Sequence, residues 1–231
     1  MINQPKSEWI DFGFETVPIA EKQSRVADVF SSVAPSYDIM NDLMSGGFHR
    51  LWKDALMDWL APSKGQVLVD LAGGTGDIAL RFLKRGGSHV NIIDINPDMV
   101  SAGRKRRDIR AYSNQLQWTV ASAEDIPLRT GTADRVTISF GLRNVTNRDI
   151  ALREALRVLK PGGRFCCLEF STVQNATLSE LYDLWSFNAI PQLGRMVAHD
   201  QAAYRYLAES IRTFPAQHDL ARMMSEAGFA Q

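Results

Sequence analysis

The sequence predicts a doubly wound α/β fold built on a mostly parallel sheet. Three observations carry that expectation. Short apolar runs alternate with stretches of helical periodicity. The first two runs are almost continuously apolar, as in parallel strands covered on both faces. A glycine-rich turn, "DLAGGTGDIA" (70–79), joins the first run to a helix.

Taken in order, the predicted strands are "QVLVDL" (66–71), "VNIID" (90–94), "LQWTVA" (116–121), "RVTISF" (135–140) and "RFCCLEF" (164–170). The clearest helix start is Asn96 as N-cap, Pro97 at the first helical position and Asp98 in the first turn, where its charge suits the helix dipole. A helix over 148–159 places Ile150, Leu152, Ala155, Leu156 and Leu159 largely along one face and stops at "KPGG". One domain is expected over 1–231, with a helical cap (20–60), a binding core (61–170), a helical insertion or lid (171–214) and a final core helix (215–231). The insertion is rich in aromatics, Tyr182, Trp185, Phe187, Tyr204 and Tyr206; they fit either a packed helical layer or a lid over a bulky apolar substrate.

Lys plus Arg and Asp plus Glu balance at 26 each, so no net field draws the chain to nucleic acid. The run "RKRRDIR" (104–110) reads as the solvated face of a helix. Cys166 and Cys167 are neighbours and badly placed to bridge each other, which fits a reducing cytosol. No spacing suggests a metal site, and no apolar run reaches the ~18 residues of a membrane span. The N-terminal stretch lacks a signal core. These features suit a bacterial cytoplasmic enzyme.

In doubly wound sheets ligands bind beyond the carboxyl ends of the strands, so 70–77, 94–96, 121–125 and 139–144 should converge. Gly73, Gly74 and Gly76 before a helix allow close backbone approach and offer free N–H groups. That suits a pyrophosphate or the carboxylate of S-adenosylmethionine equally. Asp70 discriminates, because it can face the cationic amino group of a methionine moiety, and a dinucleotide has no such cation there. Asp94 can accept from ribose hydroxyls of either cofactor. "ASAEDIP" (121–127) offers backbone groups for an adenine edge and a neighbouring acid, Asp125. Together with "RVLKPGGR" (157–164), these favour S-adenosylmethionine over NAD, and hence a Rossmann-like class I methyltransferase over a dehydrogenase.

The chain resembles the ubiquinone/menaquinone biosynthesis C-methyltransferase family in "FGFETV" (12–17), "VFSSVAPSYDIMNDLMSGGFHRLWK" (29–53), "DLAGGTGDIA", "TISFGLRNVTN" (137–147), "RVLKPGGR" and "YRYLAESIRTFP" (204–215). The resemblance implies methylation of a ring carbon of a polyprenylated quinol, a benzoquinol or demethylmenaquinol. S-adenosylhomocysteine would be the product, and a membrane surface or quinone-biosynthesis complex a passing partner. It carries cofactor contacts to Thr75, Asp94, Ser122, Ala123 and Ser139. It also implies two further strands after "MMSEAGF" (223–229), whereas the sequence given stops at Gln231; the fifth strand is therefore expected as an unprotected edge, with lowered stability or edge association.

For the chemistry, the acceptor carbon must become nucleophilic, which calls for stabilising a phenolate beside it. Arg143 and Asn144, directly after the fourth strand, are the first candidates: Arg143 to stabilise the phenolate, Asn144 to orient a hydroxyl. His49 could take the proton. Tyr37 and Asp38 are weaker candidates, and His89, His199 and His218 read as surface or structural. Another aromatic or lipid acceptor, or a non-catalytic S-adenosylmethionine-binding module, stays open as an alternative.

Overall fold

The computed structural model describes residues 8–34, 41–42, 45–171 and 201–230. Tyr37, Asp38, His199 and the aromatics Tyr182, Trp185 and Phe187 lie outside the described residues.

The chain opens with a hairpin that the sequence reading did not anticipate. Strands β1 (Trp9–Phe12) and β2 (Glu15–Pro18) pair antiparallel, with Phe12 opposite Glu15. The two-residue connection Gly13-Phe14 carries its positive φ (63°) on the glycine, as two-residue hairpin turns with glycine first require. Helix α1 (Ile19–Val33) follows, then α2 (His49–Leu60).

Five parallel strands form the central sheet: β3 (Val67–Leu71), β4 (His89–Asp94), β5 (Leu116–Val120), β6 (Ala133–Ser139) and β7 (Leu159–Leu168). Their spatial order is β5-β4-β3-β6-β7. The chain therefore winds outward from β3 to β5, then returns to the other side of β3, and the switch point falls between β3 and β6. Among the described residues β7 is paired only on its β6 side.

Helices α3 (Asp77–Lys84), α4 (Pro97–Lys105) and α5 (Arg148–Val158) connect the strands, and α6 (Gln201–Arg212) and α7 (Gln217–Ala227) complete the described chain. Helix α5 stops one residue earlier than its periodicity suggested. "KPGG" is not its terminator but the start of β7: Leu159 already pairs with Ala133, and a register shift between Ala133 and Arg135 absorbs the turn. The helix starts on Asn147, whose side chain accepts from the Ile150 N–H.

Alternation along the strands divides the core between the two faces of the sheet. Leu68, Val90 and Ile92 pack with Leu56, Met57 and Leu60 of α2 and Ile78 and Phe82 of α3. Val69, Leu71, Val136 and Ile138 pack with Leu152 and Ala155 of α5 and, from α7, Leu220 and Met224. Each Val, Leu, Ile, Phe or Met side chain that is fully buried here contributes roughly 1.5–3 kcal/mol. A third cluster joins α1 to α6 through Val26, Val33, Tyr204 and Leu207, and reaches Phe140 at the end of β6. The described part of the expected insertion is thus packed against the cap helix.

Asn96 holds the cap onto the sheet. Its Oδ1 accepts from the Asp98 and Met99 N–H groups and starts α4, as the sequence predicts. Its Nδ2 donates to the Ala27 carbonyl (2.9 Å) and to Ser31 Oγ (3.0 Å) on α1. No helix among the described residues is long and apolar enough to cross a membrane.

Candidate active site

The carboxyl ends of β3, β4, β5 and β6 converge, as the topology requires, on a cleft enclosing about 740 Å³ of empty space, part of it open to solvent. Gly74, Asp94, Ser122, Ala123 and Asn144 line it. So do Ala72, Asn96, Glu124, Phe140, Gly141 and Thr146. The fourth wall is α1, through Gln23, Val26, Ala27 and Phe30. Sequence reasoning placed a cap over the site without finding these wall residues.

Asp70, the penultimate residue of β3, is fully buried. Its Oδ1 accepts from Thr137 Oγ1 at 2.8 Å, and its Oδ2 has no hydrogen-bond partner. Burial pushes this carboxyl up to about 7, with the neighbouring Asp94 and Asp77 charges adding to the rise and the Thr137 hydroxyl opposing it. A Cβ on Gly73 would lie 2.9 Å from the same Oδ2, so only glycine lets the loop pass over this oxygen. The next turn enters α3 with Gly76 at φ 81°. Thr75 is buried within the loop, and its carbonyl and Oγ1 both accept from Arg106 Nη1 at 3.4 Å. This corrects the reading of 104–110 as one solvated helical face: α4 ends at Lys105, and Arg106 turns back onto the glycine loop while pairing with Asp108 at 2.7 Å.

Asp94 accepts from the Gly74 N–H on Oδ2 and from the Asn96 N–H on Oδ1, both at 2.8 Å. Burial raises this carboxyl as well, and the two backbone donors oppose the rise. Each oxygen keeps a second lone pair for a hydroxyl. Within 121–127 the acid that faces the cleft is Glu124 and not Asp125. Glu124 lines the cleft, with its N–H on Ser122 Oγ and its Oε1 accepting from the Thr146 N–H, whereas Asp125 is exposed. Ser139 ends β6 with a buried Oγ that also has no partner.

The three catalytic candidates are not brought together. Asn144 is on the cleft wall, and its Oδ1 accepts from Tyr206 Oη at 3.0 Å. Arg143, one residue earlier in the same short 3-10 turn (Leu142–Asn144), is buried away from the cleft. Its guanidinium donates to the Phe140 carbonyl at 2.7 Å and forms an ion pair with Glu169. It also lies 5.6 Å over the Phe170 ring. His49 starts α2, off the cleft wall, with Nε2 2.9 Å from Asp42 Oδ1 and a buried Nδ1 that has no partner. Burial lowers its pKa, so it is neutral near pH 7. One turn on, Lys53 pairs with Asp77 at 2.9 Å and lies 5.8 Å over the Phe140 ring. Burial alone would raise the Asp77 carboxyl, but Lys53 pulls it below its ordinary value. His218 is exposed and His89 only half-buried.

The donor set suits S-adenosylmethionine. An unpaired buried carboxylate oxygen at the end of β3 calls for a cation, and the loop above it has no room for a side chain. A profile described as the ubiE/COQ5 methyltransferase family matches residues 19–231. The chain belongs to the ubiE/COQ5 methyltransferase family. This methyltransferase is 55% identical over 219 residues to a ubiquinone/menaquinone biosynthesis C-methyltransferase of Roseobacter denitrificans, covering 94% of this chain and 88% of that one. A protein of the same description from Acidiphilium cryptum is also 55% identical, over 96% and 90% of the two chains. Among solved structures, a SAM-dependent methyltransferase from Thermotoga maritima matches with a TM-score of 0.61 and 20% identity over 89% of this chain and 82% of that one. One from Aquifex aeolicus gives 0.55 and 14% identity over 77% and 79%. These two establish the class I fold, and the family makes S-adenosylmethionine the methyl donor.

Proposed function

We propose that this methyltransferase methylates a ring carbon of a prenylated benzoquinol or demethylmenaquinol, with Asn144 as the group that meets the acceptor oxygen. The observation that carries this reading is the shared wall: Asn144 lines the same cleft as Gly74, Asp94 and Ser122. The names of the family relatives supply the substrate class. S-adenosylmethionine, when bound, supplies an electrophilic methyl group and leaves as S-adenosylhomocysteine.

Asp70 Oδ2 receives the cofactor's ammonium, the Gly73–Gly76 loop its carboxylate, Asp94 its ribose, and Ser122 and Ala123 its adenine; Thr75 and Ser139 complete the surround. Asn144, with its oxygen taken by Tyr206, has its amide N–H groups left to donate to the developing phenolate. Arg143 stands behind it and locks the turn to Glu169. His49, neutral and off the wall, is assigned no contact with the acceptor. A lipid-borne acceptor is supported by the exposed side chains Phe48, Leu51, Trp52 and Trp59 at and along α2. Trp52 meets Phe170 edge-on at 5.8 Å, and Phe170 packs on cleft-lining Phe140 at 4.9 Å.

Replacing Asn144 by Ala should lower kcat by about 10²–10³, the usual loss of one oxyanion donor. The affinity for S-adenosylhomocysteine should be unchanged. Turnover and calorimetric titration on one preparation check it; an Asn144→Ala enzyme with normal kcat removes Asn144 from the chemistry.

A further inference from the structure

We propose that Tyr206, braced by the N-terminal hairpin, is a positioning residue that sets the orientation of the Asn144 amide. This rests on the role given to Asn144 above. A carboxamide has an accepting and a donating end, and turning it over exchanges them at the cleft. A hydroxyl fixed beside one end selects the orientation. Tyr206 supplies it, donating from Oη to Asn144 Oδ1 at 3.0 Å. Burial pushes the phenol up to about 12, so it remains a donor at any working pH.

The ring is fixed from behind. Phe12 of β1 stacks on it with centroids 4.1 Å apart and planes within 20°. One turn along α6, Glu209 Oε2 accepts from the Phe14 N–H at 3.1 Å. The hairpin turn fits closely there: a Cβ on Gly13 would meet Glu209 Oε2 at 2.4 Å. Through Phe12 the hairpin therefore braces the side chain that holds Asn144.

The test is a double-mutant cycle in an assay with S-adenosylmethionine and a short-chain prenylated quinol kept reduced. Tyr206→Phe retains the stack and removes only the hydroxyl. It should lower kcat about tenfold, the worth of one hydrogen bond, and leave KM and the S-adenosylhomocysteine affinity within about twofold. In an Asn144→Ala background it should cause no further loss. Phe12→Ala, which leaves the hydroxyl in place, should give a smaller fall that likewise vanishes in that background. A Tyr206→Phe loss of the same size in both backgrounds, or none in the wild type while Asn144→Ala is crippled, overturns the positioning role alone. An Asn144→Ala enzyme that turns over normally overturns the functional reading, and this inference with it.

Discussion

Asp70→Asn is expected to abolish tight cofactor binding and at the same time stabilise the ligand-free protein at alkaline pH. The folded-state pKa of Asp70 is raised to about 7, against an ordinary carboxyl value near 4 in the unfolded chain. Between those values the folded state holds a proton that the unfolded state has lost. The contribution of Asp70 to stability is therefore greatest below about pH 4, falls as pH rises towards 7, and stays lower above it, by an amount on the order of a few kcal/mol. The asparagine carries no charge and its oxygen still accepts from Thr137. Its melting temperature should exceed that of the wild type at pH 8 and lose the advantage at pH 5.

The cost falls on function. Removing one partner of a buried ion pair loses about 3–5 kcal/mol, or roughly 10²–10⁴ in affinity. A cationic ammonium favours the ionised carboxylate, so wild-type affinity for S-adenosylhomocysteine should climb from pH 5.5 and level off above about 7. Titrations across that range check the assignment. An affinity indifferent to pH, or unaltered in Asp70→Asn, would show that Asp70 is not the partner of the amino group.

Arg143→Ala is expected to act on stability before chemistry. Arg143 and Glu169 side chains are each 3% exposed, and the guanidinium also supports the Phe140 carbonyl. Deleting the arginine leaves a carboxylate buried without its charge partner, at about 3–5 kcal/mol. For a chain of this size that lowers the melting temperature by roughly 6–20 °C. Adding Glu169→Gln should recover part of the loss. A variant that melts normally yet fails in turnover would return Arg143 to direct contact with the acceptor.

The fold was legible because its signals are local. Apolar runs marked all five strands, Asn96-Pro97-Asp98 marked a helix start that holds to the residue, and the glycine loop marked the switch point. What escaped depends on distance along the chain. Nothing near Arg143 announces Glu169, 26 residues away, and a polar side chain in a loop reads the same whether it faces a cleft or a partner. Tyr206 reaches Asn144 across 62 positions, and the hairpin's role rests on a further stack from Phe12. The hairpin itself had one local sign, a Gly-Phe pair between two short β-compatible runs, but "FGFETV" was read only as a family signature. Glu124 and Asp125 are adjacent, and only the turn held by Ser122 decides which acid faces the cleft.

Ala72 and Gly141 belong to different motifs, yet the fold couples what each position can hold. Ala72 sits at φ 49°, a left-handed conformation that costs an alanine roughly 1–2 kcal/mol. Its Cβ occupies the space that a side chain at 141 would need, at 2.5 Å from where that Cβ would stand. Only one methyl fits between the two loops. Gly141→Ala should therefore be damaging alone and tolerated once Ala72 has become glycine, a non-additivity that melting curves of the two single variants and the double would show. Along a lineage the order of substitution is then constrained: position 72 must shrink before position 141 can grow.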